Sequence, residues 1–430
     1  MAAVTLAAGG TAVAAAPPSP SIVSSSEATL DSLVAEALQA NPELNYYQAE
    51  ITAAKAARRS VGKLANPEAS VDLGYKRDES RGGQFLGDGA AWSVSVSQTF
   101  DFPGRMALRK AIANRQIEVA ELGLEQFRAG LAARVRHLGF HLLVAQESAR
   151  AAREVRDRVQ ELLAVLVQRD PAGVTPLLET RVIEANTLTL QRRATQAEQA
   201  VQSALLDLNQ ACGKPLETAV RVVRADLKFS PAPPLDRLLA VARTHNFDLR
   251  IRKVELEQQG FQVSLSQKDR WPSVALSPFY SNERGADQQS IVGVGVTLPV
   301  PLWDSKKSSV EQARARLQQA ETSMQVTQRQ IERQITERAL AYEKQRNEMG
   351  RWRTNAVEQF REAAELGDRH YRLGSLPVTT YLELQKQYLD ATEALLHTQA
   401  DALENWQQLE LLLGLPLSAV AASPDDGGKR

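Results

Sequence analysis

Four short stretches of the 430-residue chain alternate apolar and polar side chains with a period of two. Such alternation places the apolar set on one face of a β-strand and the polar set on the other. We predict strands over about residues 66–76, 91–102, 271–280 and 290–300. The apolar members are Ala69, Val71, Leu73, Tyr75, Trp92, Val94, Val96, Phe100, Val274, Leu276, Tyr280, Val292, Val294, Val296 and Leu298. Opposite them stand mainly Ser, Thr, Gly and acidic residues, a pattern typical of strands that separate lipid from water.

Long stretches with apolar residues every three or four positions flank these strands and predict helices. In the second half we predict one helix from about residue 304 to 373, with a coiled-coil seam. The seam begins at Val310, Ala313, Leu317, Ala320 and Met324. At 1.5 Å per residue, a helix of roughly 65 residues forms a rod about 100 Å long. A rod of that length suits a protein that bridges a distance.

The chain is internally duplicated. The stretch from Leu30 to Leu44 resembles the stretch from Leu235 to Leu249 at an offset of 205. Later landmarks, including Gly213 and Gly414, keep an offset of 201. We predict a mainly α fold with a small β part, built as two α-β-β-α repeats over residues 29–218 and 235–418. Segments 1–28 and 419–430 are predicted to lie outside these repeats, the latter as a disordered tail.

Four strands cannot form a closed wall by themselves. They leave two open edges, which lipid does not tolerate, and they are too few to enclose a lumen. Each stretch of about ten residues is nevertheless long enough to cross a bilayer at a tilt. We therefore expect a ring of protomers that share their edges, and three copies would supply twelve strands. The alternative is a soluble coiled-coil scaffold with two half-buried hairpins.

Composition and charge narrow the classes of function. Lys plus Arg equals Asp plus Glu at 51 each, which gives no support to nucleic-acid binding. The lone Cys212 permits no internal disulfide. His137 and His141 have a chelating spacing but lack a third ligand, so no metal site is assigned. No catalytic or cofactor-binding constellation is recognisable, so we expect no enzyme activity and no cofactor. The apolar run near the start of segment 1–28 resembles a secretory signal, with a disordered tail as the alternative.

Three short motifs at the predicted element ends carry a family resemblance. Two lie at the strand-to-helix joints, Gln98–Arg105 (QTFDFPGR) and Leu298–Asp304 (LPVPLWD), and the third at a helix tip, Tyr371–Ser375 (YRLGS). With the two α-β-β-α repeats, they resemble the TolC-like outer-membrane factors. The sequence Phe-Pro-Gly-Arg at the first joint is similar to that found in one branch of this family, which exports heavy-metal cations of the cobalt–zinc–cadmium type.

The resemblance implies a structure, a location and partners. The long helices would form a periplasmic α-barrel, and the strands of three protomers a twelve-stranded barrel in the outer membrane of a Gram-negative bacterium. A periplasmic adaptor would dock at the helix tips, near Gly173, Tyr371 and Gly374, and an inner-membrane pump of the resistance–nodulation–division class would supply energy. The family's acidic aperture positions correspond to Thr380 and Glu383, so the first acid is replaced by threonine.

The function expected from these observations is passive conduction. The chain would form the exit duct of a tripartite efflux system, with heavy-metal cations as the expected substrates. A duct for drugs, solvents or a secreted polypeptide is the alternative within transport. The soluble periplasmic scaffold is the alternative from another class.

Overall fold

Helices make up most of the chain, and paired strands interrupt them. The computed structural model describes residues 26–169, 177–223, 229–300, 306–352 and 356–422. The first half contains, in chain order, β1 (Ser26–Ala28), α1 (Leu30–Ala40), α2 (Glu43–Val61), β2 (Glu68–Glu79), β3 (Phe85–Phe100), α3 (Arg105–Arg169), α4 (Leu177–Cys212) and β4 (Val220–Val222). The second half contains α5 (Leu235–His245), α6 (Phe247–Lys268), β5 (Val274–Arg284), β6 (Gln288–Thr297), α7 (Lys307–Arg351), α8 (Ala356–Arg372), α9 (Val378–Leu413) and α10 (Leu417–Ala422).

The long helix of the first half is continuous, whereas that of the second half is not. Helix α3 runs unbroken for 65 residues. The single helix expected over residues 304–373 is wrong, because α7 ends at Arg351 and Trp352 is extended at φ −78° and ψ 142°. Gly350 immediately precedes this end, and glycine costs about 1 kcal/mol relative to alanine inside a helix. Helix α8 then begins at Ala356.

The described structure also extends into both segments expected to lie outside the repeats. Strand β1 pairs in parallel with β4, Ser26 opposite Val220. At the other end, α10 runs to Ala422 because Leu417 is buried against the second-half core. The backbone N–H of Leu417 also donates to a Glu410 carboxylate oxygen at 2.9 Å. Residues 1–25 and 423–430 lie outside the described residues.

The two hairpins form one antiparallel sheet in the order β2-β3-β5-β6. The pairing of β3 with β5 therefore joins the two halves of the chain. All four strands meet the helices at the same edge of the sheet, as the register shows: Glu68 lies opposite Ser97, Phe100 opposite Val274, and Ala275 opposite Thr297. The strands extend further toward the hairpin turns than the alternation predicts, since β2 ends at Glu79 and β5 at Arg284.

A buried asparagine fastens the helix junction of each half to its last long helix. The Asn41 amide donates to the Ala211 carbonyl at 2.8 Å, and the Asn246 amide donates to the Leu412 carbonyl at 2.7 Å. Each side-chain oxygen also accepts a backbone N–H of the following helix, at 2.8 Å and 3.0 Å respectively. The duplication seen in the sequence thus recurs in these contacts, although Asn41 accepts from the residue two positions on and Asn246 from the residue three positions on.

A glycine follows the last long helix of each half, and its backbone requires that residue. Gly213 has φ +68° and Gly414 has φ +69°, values that L side chains rarely adopt. A Cβ at Gly213 would lie 2.6 Å from the Ala40 carbonyl oxygen, and one at Gly414 would meet the His245 carbonyl oxygen. These glycines let the asparagine junctions approach the helix ends.

Among the described residues, no helix is both long enough and apolar enough to span a membrane.

Candidate functional site

One face of the sheet is a continuous apolar surface. The register places Leu73 beside Trp92, Val94 beside Tyr280, and Tyr280 beside Val292. The Trp92 and Tyr280 rings are in contact, with centroids 5.4 Å apart. Leu73 is 83% exposed and Val292 is 80% exposed, so this face is uncovered in the single chain. A contiguous exposed apolar patch of this kind marks a surface that contacts lipid or protein.

The opposite face is polar and hydrogen-bonded across the strands. The Ser70 and Ser95 hydroxyls lie 2.8 Å apart, and the Ser93 hydroxyl donates to the Asp72 carboxylate at 2.9 Å. Phe279 is an apolar side chain on this face. Its ring covers Gly293, where a Cβ would come within 2.6 Å of the ring, and this contact explains the glycine inside the strand. The two faces therefore suit two different solvents.

Strands β2 and β6 are open edges. Within the described residues each pairs on one side only, β2 with β3 and β6 with β5. An unpaired strand edge is costly in lipid, where no water satisfies the free N–H and C=O groups. A sheet with an apolar face and two open edges is incomplete until further strands close it.

Arg105 ties the sheet to the helices of both halves. The residue is only 4% exposed although its side chain carries a charge. It donates to the Lys268 carbonyl at 3.0 Å and to the Ser273 hydroxyl at 3.0 Å, and it also donates to the Trp271 carbonyl. It lies 3.0 Å from the Asp269 carboxylate. The start of α3 is thereby held against the α6–β5 connection. The sequence motif contains this arginine but does not reveal its partners.

The turn between α8 and α9 forms the described helix tip. Gly374 has φ +73°, and its N–H donates to the Tyr371 carbonyl at 2.9 Å. The Ser375 hydroxyl donates to the His370 carbonyl at 2.9 Å, and its backbone N–H donates to the same carbonyl at 3.1 Å. Pro377 then precedes the first residue of α9. The turn is therefore closed by its own hydrogen bonds.

A cavity of about 580 Å³ lies between this turn and the ends of α3 and α4. Its lining residues are Leu162, Val165, Glu179, Tyr371, Arg372, Gly374, Ser375, Leu376, Pro377 and Val378. Burial, and then the Glu179 carboxylate, raises the pKa of the Tyr371 hydroxyl. The neutral phenol is therefore retained at physiological pH, and the cavity combines an aromatic wall with a polar rim.

Tyr371 rests on a second tyrosine that the sequence analysis missed. The Tyr371 and Tyr381 rings stack with centroids 5.2 Å apart, and Tyr381 is fully buried. Burial, reinforced by the Asp368 carboxylate, raises the pKa of Tyr381. The motif that identified Tyr371 ends at Ser375, and the contact with Tyr381 forms only because the turn brings α9 back against α8.

The structure separates the expected site residues into two groups. Tyr371 and Gly374 lie together on the cavity, whereas Thr380 and Glu383 are exposed on the first turns of α9. Thr380 and Glu383 are three residues apart and so share one side of that helix. The Glu383 carboxylate accepts a hydrogen bond from the Gln387 amide at 3.0 Å. Gly173 lies outside the described residues.

The histidines and the cysteine do not assemble a metal centre in the described part of the chain. No group of three or more His, Cys, Asp or Glu side chains there has the geometry to hold a metal ion. The His137 and His141 rings lie 6.2 Å apart on α3. Cys212 is buried, and burial raises the pKa of its thiol, which makes the thiolate scarce.

The repeats match a known family at the positions where the structure shows two similar halves. The outer membrane efflux protein family matches residues 33–214 and again residues 238–415, which together cover most of the chain. The chain belongs to this family. The resemblance expected from the joint and tip motifs is therefore confirmed, and so is the location in the outer membrane of a Gram-negative bacterium with a long periplasmic extension.

Two curated relatives of this efflux protein are named for metal resistance. The cobalt-zinc-cadmium resistance protein CzcC of Cupriavidus metallidurans is 22% identical over 66% of this chain and 66% of its own length. The nickel-cobalt-cadmium resistance protein NccC of Alcaligenes xylosoxydans xylosoxydans is 24% identical over 68% of this chain and 65% of its own length. The matched region thus spans just under two thirds of each relative.

Solved structures confirm the TolC-like fold of this efflux protein. The Campylobacter jejuni CmeC outer membrane channel superposes with a TM-score of 0.73 at 17% identity, covering 90% of this chain and 85% of that one. The outer-membrane channel OprN gives 0.74 at 20% identity and 90% coverage of both chains. CusC, whose structures describe transmembrane channel formation, gives 0.71 at 14% identity, covering 90% and 92%. At these identities the likeness establishes the architecture alone.

Proposed function

We propose that three copies of this chain form the outer-membrane exit duct of a tripartite efflux system, which conducts its substrates passively to the exterior. The observation that carries this proposal is the sheet, with one apolar face, one polar face and two open edges. In a member of an outer-membrane family, such a sheet is completed most simply by identical neighbours. A ring of three joins β6 of one protomer to β2 of the next and leaves no edge exposed.

The completed ring would hold twelve strands with the apolar face toward lipid. The polar face, with its Ser and Asp side chains, would then line a water-filled pore. Transport through such a pore needs no chemistry from the chain, in keeping with a family of transport ducts. Family membership argues against the soluble periplasmic scaffold. The uncovered apolar face argues against it as well, because a soluble scaffold would expose that face to water.

Heavy-metal cations are the proposed substrates. The support is the resistance for which two relatives are named, the cobalt-zinc-cadmium and nickel-cobalt-cadmium resistance proteins. A duct for drugs or solvents, or for a secreted polypeptide, is the alternative. It draws support from the architecture, which this chain shares with channels not named for metals, such as CmeC and OprN.

The helix-tip cavity is the proposed docking site for a periplasmic adaptor. Tyr371 and Gly374 line it, and an apolar side chain of a partner hairpin would fit beside the stacked tyrosines. The equivalent site in the first half would include Gly173. An inner-membrane pump of the resistance–nodulation–division class would deliver substrate through the adaptor and supply the energy.

Thr380 and Glu383 are the proposed aperture residues. In a trimer, three copies of Glu383 would form a ring of carboxylates, which favours cations in a narrow pore. Replacement of the first family acid by Thr380 leaves one such ring rather than two. Cation selectivity at the aperture would therefore depend mainly on Glu383.

The duct is tested by conductance and the substrate by sensitivity. The purified chain should insert into a planar bilayer and conduct ions, and a deletion strain should become more sensitive to zinc, cobalt and cadmium ions. Failure to conduct would contradict the duct. Loss of drug tolerance with unchanged metal tolerance would contradict the metal assignment alone.

The aperture is tested with a matched pair of variants on α9. Glu383→Gln should shift the reversal potential in a salt gradient toward zero, because the ring that favours cations is lost. Glu404→Gln removes the same charge about 30 Å further along the helix and should leave the potential unchanged. If the two variants have equal reversal potentials, Glu383 does not form part of the aperture.

A further inference from the structure

Basic side chains crowd the edge of the sheet where the strands meet the helices. We call the strand ends nearest the helices the helix-side edge, as distinct from the open lateral edges β2 and β6. In the described residues it comprises residues 58–68, 101–110, 268–273 and 306–307. It contains ten Lys and Arg against three acids. The basic residues are Arg58, Arg59, Lys63, Arg105, Arg109, Lys110, Lys268, Arg270, Lys306 and Lys307. The chain has no net charge, yet about a fifth of its Lys and Arg residues lie at the helix-side edge.

The opposite edge of the same sheet is balanced. Residues 76–88 and 283–288, at the hairpin turns, contain four basic and five acidic residues. These charges pair with one another: Lys76 lies 3.0 Å from Glu283, and Arg77 lies 2.9 Å from Glu79. The excess of positive charge therefore belongs to the helix-side edge and is no general property of the sheet.

Few acids are available to neutralise the helix-side edge. Asp101 lies 2.5 Å from Arg109 and 3.6 Å from Arg105, and Asp269 lies 3.0 Å from Arg105. Two arginines thereby occupy both aspartates. Within the described ranges, seven other cations of this edge have no carboxylate within 4.0 Å. They are Arg58, Arg59, Lys63, Lys110, Lys268, Arg270 and Lys307. Arg59, Lys63, Arg270 and Lys307 among them are exposed.

An aromatic pair lies between these cations and the apolar face. The Trp271 ring stacks on Phe102, with centroids 5.7 Å apart and planes 12° from parallel, yet Trp271 remains 59% exposed. Val274, the first residue of β5, follows three residues later on the apolar face. Exposed tryptophan at the border of an apolar band is typical of the level where hydrocarbon gives way to head groups. Arg270 stands directly beside this tryptophan, on the helix side.

We propose that the helix-side edge binds anionic phospholipid head groups in the leaflet that faces the helices. Seven cations without carboxylate partners are spread across the ends of four strands rather than gathered around one cavity. That arrangement fits a two-dimensional array of phosphates better than a single ligand. Clusters of Lys and Arg at the membrane surface attract acidic lipids in this way. The inference rests on the proposed function, because it requires the sheet to span a bilayer.

Quenching of Trp271 fluorescence tests this preference. The full chain is reconstituted in phosphatidylcholine vesicles that contain phosphatidylglycerol, with only one of the two lipids brominated. Subtraction of the signal of the Trp271→Phe variant isolates the local quenching. We expect phosphatidylglycerol to be enriched near Trp271, by up to about fivefold for each cation in full contact. The enrichment should fall toward one as salt rises from about 0.1 M to about 1 M, since the screening length falls from about 10 Å to about 3 Å.

Two charge-matched triple variants locate the effect. Arg59→Gln, Lys63→Gln and Arg270→Gln together should bring the enrichment close to one. Arg77→Gln, Arg81→Gln and Arg284→Gln remove the same charge at the hairpin edge and should leave it unchanged. Equal losses in the two triple variants, or no enrichment in the unaltered chain at low salt, would overturn the proposal. The salt dependence of the unaltered chain decides the matter if a triple variant fails to fold.

Conductance of the same preparation separates this proposal from the duct itself. Protein that inserts and conducts but shows no preference for phosphatidylglycerol contradicts the lipid site and leaves the duct intact. Protein that neither inserts nor conducts contradicts the proposed function.

Discussion

The two long helices of this duplicated chain share several core positions but differ in length. Four buried positions of α3 recur exactly 200 residues later in α7: Ala113 with Ala313, Leu131 with Ile331, Val135 with Ile335, and Leu142 with Tyr342. Helix α3 nevertheless continues to Arg169, whereas α7 ends at Arg351. The halves therefore share part of one packing scheme, although Phe140 is buried and Leu340 is 60% exposed, and they diverge fully where α7 ends.

The side chains at the point of divergence explain it. In α3, Ala149, Ala151 and Ala152 are all at most 5% exposed and continue the helix into the core formed with α8 and α9. The equivalent positions 200 residues later are Met349, Arg351 and Trp352, with Gly350 between them. Alanine favours a helix and permits close packing, whereas Gly350 disfavours a helix and the side chains of Met349, Arg351 and Trp352 are too large for the same close-packed space. A shared seam thus fixes the register, and local residues decide how far a helix extends.

Forcing a break into α3 should have the largest effect. Ala152→Pro removes a helix hydrogen bond and introduces a clash inside an unbroken helix, at a cost of about 3 kcal/mol or more. At Trp352, φ is already −78°, so Trp352→Pro fits the backbone angle there, disfavours the helical conformation of Arg351 and loses the 3.1 Å hydrogen bond to the Met349 carbonyl. That loss costs about 1 kcal/mol. Unfolding of the detergent-solubilised protein, followed by circular dichroism, measures both, and equal costs would contradict the comparison of the two helices.

The glycines that follow the last helix of each half should be nearly as sensitive. Gly213→Ala and Gly414→Ala place a Cβ at positive φ and against a carbonyl oxygen of the opposing junction. We expect each to lower the free energy of unfolding by about 2–3 kcal/mol. Gly374→Ala is the matched control, because its φ is +73° but a Cβ there meets nothing within 4 Å. A control that costs as much as the other two would show that φ alone, and no junction contact, sets the penalty.

The junction asparagines should cost less, and similarly in both halves. Asn41→Ala and Asn246→Ala each remove a bond to a helix-end carbonyl and a bond from the next helix. We expect each to destabilise the chain by about 1–2 kcal/mol. Asn114→Ala removes an exposed asparagine that accepts one bond from Arg58 and should change stability little. A large difference between Asn41 and Asn246 would mean that the two junctions are not energetically equivalent.

The sequence predicts the elements that follow a periodic pattern, but not the helix ends and side-chain partners that depend on single contacts. The mainly helical fold with a small sheet followed from periodicity, because the alternating strands and the seam from Val310 onward report on whole faces. The end of α7 at Arg351 did not, since the apolar spacing continues past it and only Gly350 hints at a stop. Tyr371 and Gly374 were identified through a motif, whereas Tyr381 and the partners of Arg105 required the packing of distant elements.

The smallest expected difference between the halves is a dependence on pH. Helix α3 carries His141, whereas the position 200 residues later in α7 is Ala341. Burial lowers the pKa of His141, and the nearby His137 and His397 lower it further, while Asp207 opposes them. The folded chain therefore binds this proton less readily than the unfolded chain, where the pKa is about 6.5.

The sign of this effect follows from proton linkage. As the pH falls through about 6.5, the unfolded state binds a proton at His141 before the folded state does. The contribution of neutral His141 to the free energy of unfolding is therefore complete above that pH and is lost on acidification. His141→Gln should flatten the dependence of the unfolding temperature on pH between about 5 and about 7. His137→Gln should flatten it in part, because the interaction with His137 that lowers the pKa of His141 is removed. An unchanged slope in His141→Gln would show that acid sensitivity arises elsewhere and that α3 and α7 do not differ in this respect.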